Sequence, residues 1–593
     1  MDFQPLRRED LRLITGTGRF VHDVQLVGMR HVAFVRSAVA HGRLLGLSLS
    51  ATEGAQLLTA RELGEYVMPP INELLPLEVA QAFPLLGGEV ISYVGQPLAL
   101  VVAHSRDAAR RAAELVQTDV QEIDATLDFA VDSPAVTRVS YAHHDGGVLD
   151  PTDREAISVN AEIVCPRVVA MSIEPRAAVA QWHDDEHAIT LWLPTQTPSR
   201  ARNDVAACLG LNERQVRVIA PDVGGAFGAK ASVSPEDLLI ALAAKHLRCA
   251  LSWQASRSEE FASGMQGRGS QLCGQLQLDQ QGRLLALSAD LHFTLGAWLP
   301  FSGVVPLRNA ARILPGPYRL EQLNVQGLAK RSHAAPINIY RGAGRPEAAL
   351  LLETLMDKAA VALKMDPVAL RRRNLVAAQH MPYTTPTGEL LDSGDYARAL
   401  ELACQQFNYE KERELQAQRR LSGELVGIGV AVYIEPCGQG WEAARVTLQP
   451  NGKVTVASGS PAQGQGHESS FAQIAFDALA PHLPCSLQDI EVIYGDTSLC
   501  PVGIGSLASR SMAIGGSAIV QACQELIAAK RALPPGRVTA PLVVEAKFSA
   551  RESWSYGCVV ARMTVDVDTG EPTIERIVWA DDPKSGSYPV VAS

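Results

Sequence analysis

The chain lacks every spacing that would mark a cysteine-based site. Its ten cysteines are scattered without a single C-x-x-C pair, so neither a disulfide framework nor a zinc or iron–sulfur ligand set is indicated. It also lacks an excess of positive charge. A formal net charge of −11, with no basic cluster, gives no support to nucleic-acid binding and favours a small-molecule substrate. No apolar run reaches the roughly 20 residues of a membrane span. The opening MDFQPLRREDLRL has no signal-type apolar segment, so no membrane span and a cytoplasmic location are expected.

What is present is material for several domains with sizeable cores: 593 residues, 47% hydrophobic and 20% charged. Residues 1–130 read as a mixed unit in which the strand-like GQPLALVVA (95–103) precedes the helical SRDAARRAAEL (105–115). Residues 131–158, rich in Pro, Gly, Asp and Ser, read as a linker whose His143–His144 pair could serve a metal but in so polar a stretch is more often simply solvated. Strands and helices alternate afterwards, with a weaker break at the charged stretch 410–424 that divides 159–424 from 425–593. The fold class expected is α+β, a mixed α/β chain.

The same kind of junction recurs four times in the second stretch. PDVGGAFGAK (221–230), INIYRGAGRPE (337–347), SGSPAQGQGHESS (458–470) and GIGSLASRSMAIGG (503–516) each join a strand-like or extended segment to an apolar helix. Glycine is costly in ordered chain. Four bare turns that aim backbone N–H groups from helix starts suit one large ligand with several anionic or polar groups. Cys437 and Cys500 lie close to these turns, and His467 is read as a capping or packing residue.

These residues, together with MDPVALRRRNL (365–375) and ASRS (508–511), resemble the molybdopterin-binding large subunit of the xanthine oxidase and aldehyde oxidase family. TGTGRFVHD (15–23), SAVAHGR (37–43) and YVGQPLALVVA (93–103) are similar to that family's α/β hammerhead domain. The resemblance covers nearly the whole chain in the right order. It implies a hammerhead domain followed by a two-part molybdopterin-binding domain, and a molybdenum hydroxylase that inserts oxygen from water into an aldehyde or N-heterocycle. Electrons would pass to a 2Fe-2S cluster and FAD on partner subunits, an iron–sulfur subunit and an FAD subunit. The pterin would be the cytosine dinucleotide form, and molybdenum would be held through its dithiolene rather than by a protein ligand.

Carried over residue by residue, Gln196 matches the Gln that hydrogen-bonds an oxygen ligand of molybdenum, and Gly225, Phe227 and Gly228 the loop against the metal. Arg341 matches the Arg beside metal and substrate, where its fork of donors can stabilise developing negative charge. Gly464, Gln465 and Gly466 match the loop at the dithiolene and pterin. Ala508, Ser509 and Ser511 match the loop around pterin and phosphates.

The chain departs from the family in three places. Ala231 and Ala343 stand where purine-oxidising members grip the substrate with a Glu and an aromatic ring, which argues against a purine. The loop Arg341-Gly342-Ala343-Gly344-Arg345 lacks the Cys of the carbon monoxide dehydrogenases. The family's G-x-G-E motif, which carries the general-base Glu, is absent, and neither Glu435 nor Glu468 matches it. Two readings stay open on the sequence: a catalytic subunit whose Glu comes from a separate C-terminal polypeptide, or a truncated, non-catalytic paralogue. A flavin- or nucleotide-binding protein of another fold fits the glycine turns but not the ordered motifs.

Overall fold

The computed structural model describes residues 7–49, 54–79, 82–130, 132–144, 156–534 and 538–582. A seven-stranded sheet runs Val216–Ile219, Ala188–Trp192, Ala177–His183, Leu251–Gln254, Arg30–Arg36, Pro97–Ala103, Gln56–Leu58. Three of these strands come from the first 130 residues and four from beyond residue 176, so the expected boundary at 130 runs through this sheet, whereas the sheet Val90–Ile91, Gly42–Leu49, Val116–Glu122 lies wholly before it. The seam is the parallel pairing of Arg30 with Leu251 and His31 with Ser252. Pro97–Ala103 is buried at every position, as a strand covered on both faces must be. Arg106–Glu114 follows it, N-capped by Ser105.

Residues 131–158 hold more than a linker. Ala135–His144 is a strand of a five-stranded sheet with Gln322–Lys330, Leu284–Thr294, Gln266–Leu278 and Ile157–Val169. Val136 and Thr137 are buried while the outer half is exposed, and partnership with Gln322–Lys330 supplies the order that its polar composition hides. His143 and His144 are exposed at the strand's end; residues 131 and 145–155 lie outside the described residues.

The break at 410–424 is a helix, Tyr409–Leu421, and no core ends there. One apolar cluster joins Leu351, Leu355 and Phe407 to Val430, Val432, Trp554 and Cys558 of the antiparallel sheet Leu425–Cys437, Ser553–Val565, Pro572–Asp582. A last sheet, Ile490–Tyr494, Val454–Ser458, Gly440–Leu448, Leu542–Ala550, packs its apolar face on helices His467–Leu479 and Ser517–Arg531. Among the described residues, Ser511–Arg531 is long and apolar enough by composition to cross a membrane, although Gln521, Gln524 and Glu525 interrupt it. Its Ile519, Ala522, Cys523 and Leu526 are buried in this core.

Candidate cofactor site

Each glycine-rich turn leads towards a helix, and the third leaves a strand end directly, at Ser458. The first follows Val216–Ile219 and precedes Pro235–Leu247. Gly228, at φ 98°, could carry no side chain, because a Cβ would sit 2.8 Å from the Ile339 carbonyl oxygen. That close approach seats the first turn on the second, where the Arg341 N–H donates to the Phe227 carbonyl at 2.9 Å. Gly344 is equally constrained, its Cβ position lying 2.0 Å from the Pro306 carbonyl oxygen, and it starts helix Arg345–Leu363.

Gln196 binds the first turn to the fourth. Its Oε1 accepts from the Gly228 N–H at 2.9 Å, and its Nε2 donates to the Ser506 carbonyl at 2.8 Å. The Ser506 hydroxyl then accepts from Gln465 Nε2 at 2.8 Å and stands 2.8 Å from Ser511 Oγ. All four turns therefore converge. Nε2 carries two hydrogens, and the bond to Ser506 uses one, which leaves the other for a ligand oxygen.

The convergence fits the expected cofactor in three respects. Gly464, at φ 106°, has nothing within 4 Å of a Cβ position, an open cradle beside the first turn of His467–Leu479, whose N–H groups lack intrahelical partners by construction. Ala508 and Ser509 both hold positive φ, 51° and 55°, a strained pair of the kind that collects at ligand clamps. Phe227 shares that conformation at φ 52°, with 46% of its surface exposed. Among the described residues the exposed Arg341 guanidinium has no hydrogen bond or ion pair, whereas Arg345 is spent on Glu435 at 2.7 Å and Arg268 on the Arg341 carbonyl at 2.7 Å. Ala231 and Ala343 are both buried and present neither ring nor carboxylate to this space.

Ser506, Glu442 and Arg510 belong to the site and were not singled out from the sequence. Glu442 is fully buried and accepts from the Gly505 N–H at 2.9 Å, with Arg510 Nη2 at 3.5 Å. Burial pushes its carboxyl up to about 7, against the pull of Arg510. Ser506 and Arg510 stand inside the fourth motif, so their signal was proximity alone. Burial holds His467 down to about 4, so its ring is neutral at pH 7; it lies 3.2 Å from the Ser460 carbonyl and stacks on Phe471. Packing accounts for it. Glu468 and Glu435 are both engaged in ion pairs, with Arg12 and Arg345.

Comparison with known proteins agrees with this architecture. Residues 15–124 match the aldehyde oxidase and xanthine dehydrogenase a/b hammerhead domain; 134–375 and 402–536 match two molybdopterin cofactor-binding domains. The chain belongs to the xanthine oxidase and aldehyde oxidase family, as a molybdopterin-binding large subunit. It is 30% identical over 558 residues to the nicotine 6-hydroxylase large subunit of Paenarthrobacter nicotinovorans, covering 88% of this chain and 68% of that one. To the carbon monoxide dehydrogenase large chain of Hydrogenophaga pseudoflava it is 28% identical over 568 residues, covering 88% and 70%. The solved quinoline 2-oxidoreductase of Pseudomonas putida 86 superimposes with a TM-score of 0.89 at 28% identity, over 97% of this chain and 82% of that one.

Proposed function

We propose that this chain is the molybdenum-cofactor subunit of a multi-subunit oxidoreductase that hydroxylates an N-heterocycle or an aldehyde, with water as the oxygen source. The observation that carries the reading is the convergence of the four turns on Gln196, whose side chain ties the first to the fourth and, among the described residues, keeps one N–H unspent. When bound, the molybdenum cofactor supplies the redox centre at which oxygen is transferred and two electrons are accepted. This chain's residues hold and orient it. The turns at 464–466 and 508–511 offer backbone N–H groups to the pterin and its phosphates, in the cytosine dinucleotide form, while the Gln465 amide, spent on Gln463 and Ser506, braces the third turn.

Gln196 would direct its remaining side-chain N–H at the bound cofactor. Arg341 faces the substrate with a cation that no protein anion has neutralised, and it stabilises charge growing on a ring nitrogen or a carbonyl oxygen. Alanines at 231 and 343 leave room for a ring without reading its polar edge. Two similar proteins are named for nicotine and quinoline, which favours the N-heterocycle arm. Separate iron–sulfur and FAD subunits would take the electrons onward.

The test is native isolation from the source cell, with molybdenum, iron, flavin and pterin nucleotide quantified and co-purifying chains weighed. Near-stoichiometric molybdenum with iron–sulfur and flavin partners is expected. A metal-free, pterin-free chain without partners would overturn the reading.

A further inference from the structure

Residues 7–12 reach two of the cofactor turns at once. Arg12 Nη2 donates to Asp222 Oδ1 at 2.8 Å, at the head of the first turn, and Nη1 donates to Glu468 Oε2 at 2.7 Å, just past the third. Arg7 Nη1 donates to the Gly464 carbonyl at 3.1 Å. Ser469 Oγ donates to Glu9 Oε2 at 2.7 Å and accepts from the Arg8 N–H at 2.8 Å. Asp222 is fastened a second time, by the Arg19 N–H at 2.9 Å, and Tyr494 donates to Glu468 at 3.2 Å.

The way this arm is attached sets it apart from the rest of the fold. Helix Asp10–Ile14 buries none of its residues, and Leu11 and Ile14 are 65% and 74% exposed. Its hold on the body rests on charged and polar contacts, which are strong in specific geometry, weakened by salt and released without uncovering a core. Arg12 binds Asp222 and Glu468 directly from positions 246 residues apart in sequence, beside the bridge of Ile219 with Asp496 that joins the same two regions through their backbones.

We infer that residues 7–12 are a polar clasp, with Arg12 as its positioning residue, that closes the first and third turns around the bound cofactor and opens to admit or release it. The cofactor arm of this inference rests on the proposed function; the clasp itself does not.

The experiment compares the natively isolated protein with Arg12→Ala, Arg12→Lys and Glu468→Gln. Amide exchange is followed in peptides covering 220–230 and 460–470, and released pterin is followed by fluorescence in filtrates at low and high salt. Arg12→Ala should speed exchange in both turns by about tenfold and release pterin faster at low salt. High salt should bring the wild type towards the variant, and Arg12→Lys should restore part of the protection. Exchange in Pro235–Leu247 serves as the folding control, and if Arg12→Ala fails it, Glu468→Gln cuts the same tie from the other side. Exchange that changes only within residues 7–19, or in neither turn, overturns the clasp. A wild type without pterin counts against the proposed function, while the exchange measurement still decides the clasp.

Discussion

Gln196 and Ser506 hold each other twice: the Gln196 side chain donates to the Ser506 carbonyl at 2.8 Å, and the Ser506 N–H donates to the Gln196 carbonyl at 3.0 Å. The double tie makes this glutamine part of the frame as well as a ligand contact, and the two roles separate by experiment.

Gln196→Ala leaves the part-buried Gly228 N–H and the buried Ser506 carbonyl without these partners, at a cost of about 1–3 kcal/mol in stability. Turnover should fall sharply while most of the cofactor stays bound, since the other turns keep their contacts. Metal content and steady-state rates on one preparation check this; an unchanged rate removes Gln196 from the site.

Arg341→Ala should leave stability nearly unchanged. An exposed guanidinium with no ion pair contributes within about 0.5 kcal/mol, so the melting temperature should hold while the rate drops. Arg341→Lys should recover only part of it, because a point charge lacks the planar fork. Full activity in both variants would refute the assignment.

Two glycines separate fold from cradle. Gly228→Ala puts a Cβ 2.8 Å from the Ile339 carbonyl oxygen at positive φ, and the seating of the first turn on the second should be lost together with cofactor. Gly464→Ala meets open space and faces only the positive-φ strain of about 1–3 kcal/mol. It should still yield folded protein, but with less pterin. Equal pterin in Gly464→Ala and wild type would mean that the cradle lies elsewhere.

Glu442 makes stability depend on pH. Its folded carboxyl titrates at about 7 against an ordinary 4.5, so between these values the folded chain binds a proton that the unfolded chain has released. The contribution of Glu442 to stability should fall as pH rises through that window and level off above about 7, while His467, neutral in the fold and held down to about 4, works in the opposite sense below about 6.5. Glu442→Gln keeps an acceptor for the Gly505 N–H and should flatten the slope, as read from melting temperatures between pH 5 and pH 8. A pH profile that is the same in Glu442→Gln and the wild type would contradict the burial argument.

The local junctions were legible because their signals are local. Glycines at positive φ, the Ser234 cap with Pro235 at the first helical position, and the apolar periodicity of His467–Leu479 all act within a few residues of the chain. Ala135–His144 was hidden because its order is borrowed from Gln322–Lys330, nearly two hundred residues later. Gln196 and Arg341 were legible only through the resemblance. Ser506 and Arg12 escaped even that, since a hydroxyl that relays between two amides and a surface arginine that bridges two turns look like ordinary polar residues until the chain is folded.

The shared sheet also sets a timetable for synthesis. Arg30 cannot pair with Leu251 until 221 further residues have been made, and translation at about 5–20 residues per second leaves that strand edge waiting for roughly ten to forty seconds. During that interval Arg30 and His31 wait without the partners Leu251 and Ser252, and the apolar Val32 and Phe34 beside them wait for the rest of the core they share. The first quarter of this polypeptide therefore matures only as part of a longer whole, and a product released before residue 251 would be a substrate for chaperones and proteases rather than a small domain in its own right.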